Sequence, residues 1–279
     1  MAKFAIPVAR PELVFRTALV DRLAGATQRI ISVVAPPGYG KTTLLAQWAA
    51  EFLPYLAWVS CDDGDNDPVV LLTAIASALS ATGLIEEEVY ASLAASGAGI
   101  TFVPRFIASI RSADAPVALV LDHTEAVTNP QCRRMLAEFA VRLPAGWRLG
   151  VASRTEPPLP SARLRVQGGL VEVGAADLAM DPVEASQLLE RAGVPAADVS
   201  VGELLQHTEG WPAGLYLAAL AIRDGPPERD VRMRFSGEVA SSATICAPSC
   251  SRTCRPGSGG FSPAPRCWPG CRDRCVMRC

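Results

Sequence analysis

The chain has 279 residues, of which 49% are hydrophobic, so it is long and apolar enough for one large domain or for a core with a smaller companion. Its formal net charge of −2 at pH 7 gives no general preference for nucleic acids or for membrane surfaces. The longest apolar stretch, 215–222, is too short to span a bilayer, and the N-terminus lacks the apolar core of a signal peptide, which predicts a cytoplasmic protein without a membrane partner.

Residues 1–28 are interpreted as a leader. Within them, 11–24 carries apolar residues on one side of a short predicted helix, which we expect to pack beside the motif that follows. Arg16 has two interpretations that the sequence leaves open. Its guanidinium approaches the ligand of the next motif, or it is solvated at the surface.

The segment 29–52 predicts a strand, a glycine-rich turn and a helix. A β-branched run precedes the turn, and the apolar residues after it lie on one helical face. This is the context of a phosphate-binding P-loop, although Ala35 stands where GxxxxGKT has its first glycine. We expect two glycines to direct backbone N–H groups into one cavity, the lysine to reach the β- and γ-phosphates, and Thr42 to bind Mg²⁺. The candidate nucleotide-binding residues here are Pro37, Gly38, Tyr39, Gly40, Lys41, Thr42 and Thr43.

Strands and helices then alternate, which predicts the α/β class with a doubly wound parallel sheet. The acidic run 61–68 superficially resembles a calcium loop, but the glutamate that should end such a loop is missing, so calcium is rejected. Instead, Asp67 is predicted to cap a helix that has Pro68 at its first position. The predicted strands are 55–60, 117–122, 147–153 and 170–173, and the predicted helices are 68–81, 101–113 and 129–143.

Charged residues follow two of these strands. Asp122 ends a continuous apolar run, as in a Walker B motif, and is predicted to bind Mg²⁺ together with Thr42. The next residue, His123, is a candidate base or a packing residue, and Glu125 is the nearest further carboxylate. Arg154 ends the following strand and is predicted to contact the γ-phosphate. Asp122, His123 and Glu125 are therefore the catalytic candidates.

The character of the chain changes at Asp181. An Asp-Pro-Val-Glu capping box begins a helix to about residue 192, and further short helices are predicted at 200–208 and 211–223. We interpret these helices as a small helical subdomain that follows the P-loop NTPase sheet. The predicted organisation is a leader at 1–28, a nucleotide-binding domain at 29–175, the subdomain at 176–225, a linker at 226–244 and a tail at 245–279.

Five motifs in order resemble the N-terminal ATPase module of the MalT-like, LuxR-family bacterial transcriptional regulators, which belong to the STAND class of signal-transduction ATPases. They are APPGYGKTTLLAQWA, WVSCDDGDND, LVLDH, ASRTEPPLP and EGWPAGLYLAALA. The resemblance covers about residues 9–237. It implies a switch in which ADP holds an inactive form, while ATP and an inducer favour self-association. It also implies that Pro212 contacts the base or ribose and that Arg154 senses phosphate.

The resemblance also sets expectations for hydrolysis and for DNA binding. Family members usually carry a second aspartate where His123 stands, which implies an ATPase that is slow at most. Full-length members continue for hundreds of residues into a winged-helix part, a helical-repeat sensor and a helix-turn-helix. This chain shows no DNA-reading element, so we expect a truncated regulator.

The tail, 245–279, contains seven of the nine cysteines, all spaced by four residues within two groups. A metal site or a disulfide knot is one interpretation. The other is a shifted reading frame, because helical leucines four apart, encoded in GC-rich DNA, give cysteines when read one base later. We expect an aberrant, disordered tail.

Three functions remain open at this stage. The first is a switch module that binds ATP or ADP with Mg²⁺. The second is an active P-loop ATPase or kinase, which needs a catalytic carboxylate beside Asp122. The third is a non-functional, frame-shifted remnant.

Overall fold

A computed structural model describes residues 3–7, 13–83, 106–107 and 116–224. All of these residues belong to one compact unit, Met1–Met233, and a second unit comprises Arg234–Cys279. The predicted linker at 226–244 and the predicted tail at 245–279 lie outside the described residues. The helix predicted at 101–113 also lies outside them, except for Phe106 and Ile107, which are helical.

Five parallel strands form one sheet in the order β2-β3-β4-β1-β5. Most of their residues are buried, as expected where helices cover both faces of a parallel sheet. Every predicted strand is present, and the bounds agree to within one residue. The strands are β1 (Ile30–Val34), β2 (Leu56–Ser60), β3 (Val117–Asp122), β4 (Trp147–Ser153) and β5 (Leu170–Val173).

Nine α-helices occur among the described residues outside 106–107. They are α1 (Thr17–Ala24), α2 (Lys41–Ala49), α3 (Pro68–Ser80), α4 (Pro130–Val141), α5 (Ser161–Val166), α6 (Ala175–Leu178), α7 (Pro182–Arg191), α8 (Val201–Thr208) and α9 (Pro212–Arg223). Four short 3₁₀ turns lie between them, at Ala50–Phe52, Asp63–Asn66, Thr124–Ala126 and Ala196–Asp198.

The sheet has a hydrophobic core on each face. On one face, α1 and α2 pack against alternate strand residues such as Ile31 and Val120. On the other face, α3 and α4 pack against the residues between them, such as Leu119. Neighbouring strand residues point to opposite faces, so one run such as β3 serves both cores. The predicted doubly wound α/β fold is confirmed.

Side-chain caps set the starts of α3, α4 and α7, and the sequence predicts those of α3 and α7. Asp67 accepts hydrogen bonds from the backbone N–H groups of Val69 and Val70, with Pro68 at the first helical position. Asn129 caps α4 in the same way. Asp181 and Glu184 form the predicted capping box of α7. Each cap satisfies N–H groups that have no partner within the helix.

The acidic run after β2 has structural partners. Asp65 is fully buried, and its Oδ1 lies 2.7 Å from Lys3 Nζ. Asn66 joins this loop to the loop after β3: its Oδ1 accepts from the N–H groups of Thr128 and Asn129, and its Nδ2 donates to the carbonyl of Ala126. The run therefore fixes the segment that begins with His123.

No helix in the described ranges combines the length and the apolar character that crossing a bilayer requires.

Candidate nucleotide-binding site

The P-loop follows β1 at the edge where all five parallel strands have their carboxyl ends. Gly38 and Gly40 have φ angles of 80° and 82°, in the left-handed region that favours glycine. Gly40 immediately precedes α2, so the first N–H groups of this helix face the turn. Ala35 is buried and donates its N–H to the carbonyl of Ser153, which extends β1. An anion at this turn meets N–H donors and a helix N-terminus.

Lys41, the first residue of α2, folds back over the turn. Its Nζ donates to the Pro36 carbonyl at 3.0 Å. Burial lowers the pKa of the Lys41 ammonium below its usual range, because desolvation disfavours the charged form, while the charges of Glu125 and Asp122 oppose this shift. The lysine is therefore held, partly desolvated, beside two carboxylates.

Thr42 and Asp122 meet beside the P-loop. The Thr42 hydroxyl donates to Asp122 Oδ2 at 2.8 Å, and the other carboxylate oxygen accepts from the His123 N–H at 2.9 Å. Asp122 is 2% exposed. Hydroxyl and carboxylate oxygens suit Mg²⁺, which usually binds one or two carboxylates together with water and phosphate oxygens. The described part of the chain contains no cluster of three or more His, Cys, Asp or Glu residues for a metal bound by protein alone. The donor set fits Mg²⁺ held jointly with a phosphate.

A left-handed residue turns the chain back after Asp122. His123 has φ 57° although it is not glycine, and the turn Thr124–Ala126 follows. The buried Thr124 hydroxyl donates to the Ala152 carbonyl of β4. As a result Glu125 lies beside both His123 and the end of β4, with its Oε1 3.6 Å from His123 Nδ1.

Glu125 forms two contacts with Arg154. Its Oε1 lies 3.0 Å from Arg154 Nε, and its Oε2 accepts from the Arg154 backbone N–H at 3.0 Å. Burial opposes the ionisation of Glu125, but His123 and the Arg154 N–H outweigh it and lower its pKa to about 2. The Glu125 carboxylate in turn raises the pKa of His123, against the effect of burial. Glu125 is thus an ionised carboxylate held between two partners.

The start of α9 is bonded directly to the P-loop. Trp211 Nε1 donates to the Pro37 carbonyl at 3.1 Å, and the Ala213 N–H donates to the Gly38 carbonyl at 3.1 Å. The approach is so close that a Cβ on Gly38 would lie 2.7 Å from both Ala213 Cβ and Trp211 Nε1. A Cβ on Gly214 would lie 2.6 Å from the Trp211 ring. The two glycines therefore make room for the tryptophan.

A cavity of about 270 Å³ lies where the P-loop, the start of α9 and the segment before α1 meet. Tyr39 and Thr43 line it from the P-loop side, and Pro212 and Tyr216 line it from α9. Arg16 lines it as well, but it is 5% exposed and is bound by protein groups: its Nε donates to Glu184 at 2.9 Å and its Nη1 to the Leu178 carbonyl at 2.9 Å. The interpretation of Arg16 as a solvated residue is wrong, because these partners bury it.

Known proteins similar to this chain are transcriptional regulators. The chain is 36% identical over 233 residues to the HTH-type transcriptional regulator MalT of Yersinia enterocolitica, and 34% identical over 233 residues to MalT of Cronobacter sakazakii. Each match covers 80% of this chain. The resemblance to MalT-like regulators is confirmed. The chain nevertheless spans about a quarter of the length of these relatives, 25% in both cases. No family model matches it.

The structural comparison supports the fold of the chain. A Walker-type ATPase of Pyrococcus abyssi has a TM-score of 0.51 at 13% identity, with 87% of this chain and 76% of that chain covered. At this identity the likeness concerns the fold alone, which is that of a P-loop ATPase. Together, the two comparisons show a likeness to one part of the MalT regulators and the fold of a P-loop ATPase.

The predicted site residues fall into two groups in the structure. The residues that follow β3 and β4 lie on the Thr42 and Asp122 side, and Pro212 lies across the cavity from Tyr39 and Thr43. Trp211 was missed as a site residue, although it lies inside the motif that carries the resemblance. The chemical signal was an indole N–H between two glycines, since such a donor usually finds a partner when it is partly buried.

Proposed function

We propose that this chain is the switch module of a MalT-like transcriptional regulator and that it binds ATP and ADP with Mg²⁺. The observation that carries the proposal is the 2.8 Å contact between Thr42 and Asp122, beside a P-loop whose two glycines are left-handed. A threonine hydroxyl and a strand-terminal aspartate bind the metal in P-loop NTPases. Their meeting here, 80 residues apart in sequence, is difficult to explain by chance.

We assign the phosphates to the N–H groups of residues 38–43 and to Lys41, and Mg²⁺ to Thr42 and Asp122. Mg²⁺ would neutralise phosphate charge at this point. Lys41 is suited to its role because it is already partly desolvated, so less hydration is lost when it meets a phosphate. The cavity beside Pro212 and Tyr216 would hold the base or the ribose.

The switch would join a P-loop domain, 29–175, to a helical subdomain, 176–225. The hydrogen bonds from Trp211 and Ala213 to the P-loop support this assignment, because a change at the loop would reach α9 without an intermediate residue. In the proposed cycle, ADP favours an inactive form, and ATP with an inducer favours self-association in the cytoplasm.

Fast hydrolysis is not part of the proposal. A general base is most effective with a pKa near the working pH, whereas the pKa of Glu125 is about 2 and its carboxylate is bound by Arg154. His123 occupies the position directly after Asp122 and carries no carboxylate. These features support a module that binds nucleotide and turns it over slowly at most.

Equilibrium binding of labelled ATP and ADP to the full chain, with and without Mg²⁺, tests the proposal. Lys41→Ala is expected to weaken both nucleotides by about tenfold to a hundredfold, because a hydrogen bond to a charged group contributes roughly 1.5–3 kcal/mol. Lys3→Ala is the matched control: it removes the only other lysine, whose partners are Asp62 and Asp65, and should leave both affinities unchanged. Equal binding by the wild type and Lys41→Ala would contradict the proposal.

A further inference from the structure

The pair formed by Glu125 and Arg154 is not needed to build the fold. Arg154 is half exposed at 50% of its side chain, and the turn that carries Glu125 is already attached to β4 by Thr124. Surface ion pairs of this kind contribute little to stability. Glu125 nevertheless makes two hydrogen-bonding contacts to a single residue and is only 19% exposed. A function at the site explains this arrangement better than stability does.

The pair lies on the phosphate side of the site. The charges of Glu125, Arg154 and Asp122 all act on the Lys41 ammonium. The P-loop lysine reaches the β- and γ-phosphates. Since Arg154 follows β4, the neighbour of the P-loop strand, its guanidinium is placed to meet the outermost phosphate once it is free of Glu125.

We propose that Glu125 sets the preference between nucleoside triphosphate and diphosphate by competing with the terminal phosphate for the Arg154 side chain. This inference rests on the proposed function. Arg154 would exchange a carboxylate for a phosphate oxygen when a triphosphate is bound, and would keep Glu125 when a diphosphate is bound. The cost of that exchange applies to the triphosphate alone, so Glu125 holds the two affinities closer together than Lys41 and Arg154 would without it.

The charge balance supports the same assignment. In the described part of the site, two cations, Lys41 and Arg154, face two carboxylates, Asp122 and Glu125. The Asp122 carboxylate has the Thr42 hydroxyl as a partner and is suited to a metal ion. The partners of Glu125 are instead His123 and Arg154, so its carboxylate offsets the charge of a cation that the phosphates need. In this role Glu125 is a positioning and specificity residue and not a catalytic base, and its low pKa agrees with that role.

Glu125→Gln tests the inference because it keeps the shape and an oxygen acceptor for the Arg154 N–H but removes the charge. In the full chain, we expect affinity for a non-hydrolysable ATP analogue to rise by about threefold to fivefold, the scale of a half-exposed ion pair, while affinity for ADP stays the same. Arg154→Ala should lower the affinity for the analogue. In the Arg154→Ala background, Glu125→Gln should no longer change the ratio of the two affinities.

The outcomes separate the two proposals. If the wild type binds neither nucleotide, the proposed function is wrong. If the wild type binds both and Glu125→Gln leaves their ratio unchanged, or lowers affinity for the analogue, only the role of Glu125 is overturned. The lowered affinity would mean that Glu125 presents Arg154 to the phosphate. Far-UV circular dichroism of each variant verifies folding, and the single variant Arg154→Ala keeps the inference testable if Glu125→Gln fails to fold.

Discussion

Two glycines of the P-loop share one backbone conformation but have different surroundings, and this allows a matched experiment. Gly38 and Gly40 have φ angles of 80° and 82°. A Cβ on Gly38 would lie 2.7 Å from Ala213 Cβ and from Trp211 Nε1, whereas a Cβ on Gly40 would meet no atom of the described residues within 4 Å. Replacing each by alanine therefore adds the same methyl group with the same backbone strain, but only Gly38→Ala forces the loop away from α9.

The expected losses of stability follow from two contributions, the backbone strain and the close contact with α9. An L-residue in the left-handed region costs roughly 1–2 kcal/mol, which both variants should lose. Overpacking at a close contact costs about 1–3 kcal/mol, and it applies to Gly38→Ala alone. We therefore expect the free energy of unfolding to fall by about 1–2 kcal/mol in Gly40→Ala and by roughly 2–5 kcal/mol in Gly38→Ala.

Urea unfolding monitored by far-UV circular dichroism measures both values. Gly83→Ala calibrates the strain outside the site, because Gly83 has φ 75° and, in the described part of the chain, no atom lies within 4 Å of its added Cβ. It should match Gly40→Ala. Equal losses in Gly38→Ala and Gly40→Ala would refute the conclusion that α9 rests on the P-loop.

Three further predictions concern side chains that hold the site in place, each measured as the free energy of unfolding in urea. Glu184→Ala leaves the buried Arg16 guanidinium without its carboxylate and should cost about 3 kcal/mol. Glu172→Ala breaks the exposed pair with Arg165 and should cost less than about 1 kcal/mol. Equal costs of the two variants would contradict the argument from the burial of Arg16. Asn66→Ala removes the hydrogen bonds that join the two loops and should cost about 2–3 kcal/mol, and a loss below about 1 kcal/mol would refute its bridging role. Trp211→Phe loses only the indole donor and should cost about 1 kcal/mol. Trp211→Ala also loses the ring and should cost about 3 kcal/mol. Similar losses of stability in the two variants would mean that packing of the ring contributes little.

The fold was largely predictable because its signals are local. The strand Val117–Asp122 is an uninterrupted apolar run, and α3 begins at an aspartate followed by proline, so neighbouring residues alone define both elements. The capping box of Asp181 and Glu184 is equally local. Such patterns do not depend on contacts with distant parts of the chain, and the bounds of these elements were predicted to within one or two residues.

The site was predictable only in part, because its geometry depends on distant contacts. Arg16 is separated from Glu184 by 168 residues and Trp211 from Pro37 by 174. Neither pairing leaves a pattern in either segment alone. The left-handed turn at His123 was also hidden, since a histidine at φ 57° carries no glycine signal. That turn decides where Glu125 lies. The groups that the Glu125 carboxylate contacts could therefore not be inferred from its place in the sequence, two residues after His123.

The contacts of the P-loop show that its carbonyl groups and its N–H groups can bind different partners. Lys41, Trp211 and Ala213 all donate to carbonyl oxygens of the loop, those of Pro36, Pro37 and Gly38. A phosphate is bound by N–H groups instead, because it can only accept hydrogen bonds from the backbone. Under the proposed function, α9 and the nucleotide would therefore use complementary groups of the same peptide units and need not displace one another. A peptide that turns to improve its N–H contact with a phosphate must also move its carbonyl, which links phosphate binding to the position of α9. Such a link is a coupling free energy between two sites and acts in both directions. A partner that shifts α9 must therefore change nucleotide affinity by the same factor by which the nucleotide changes the affinity for that partner.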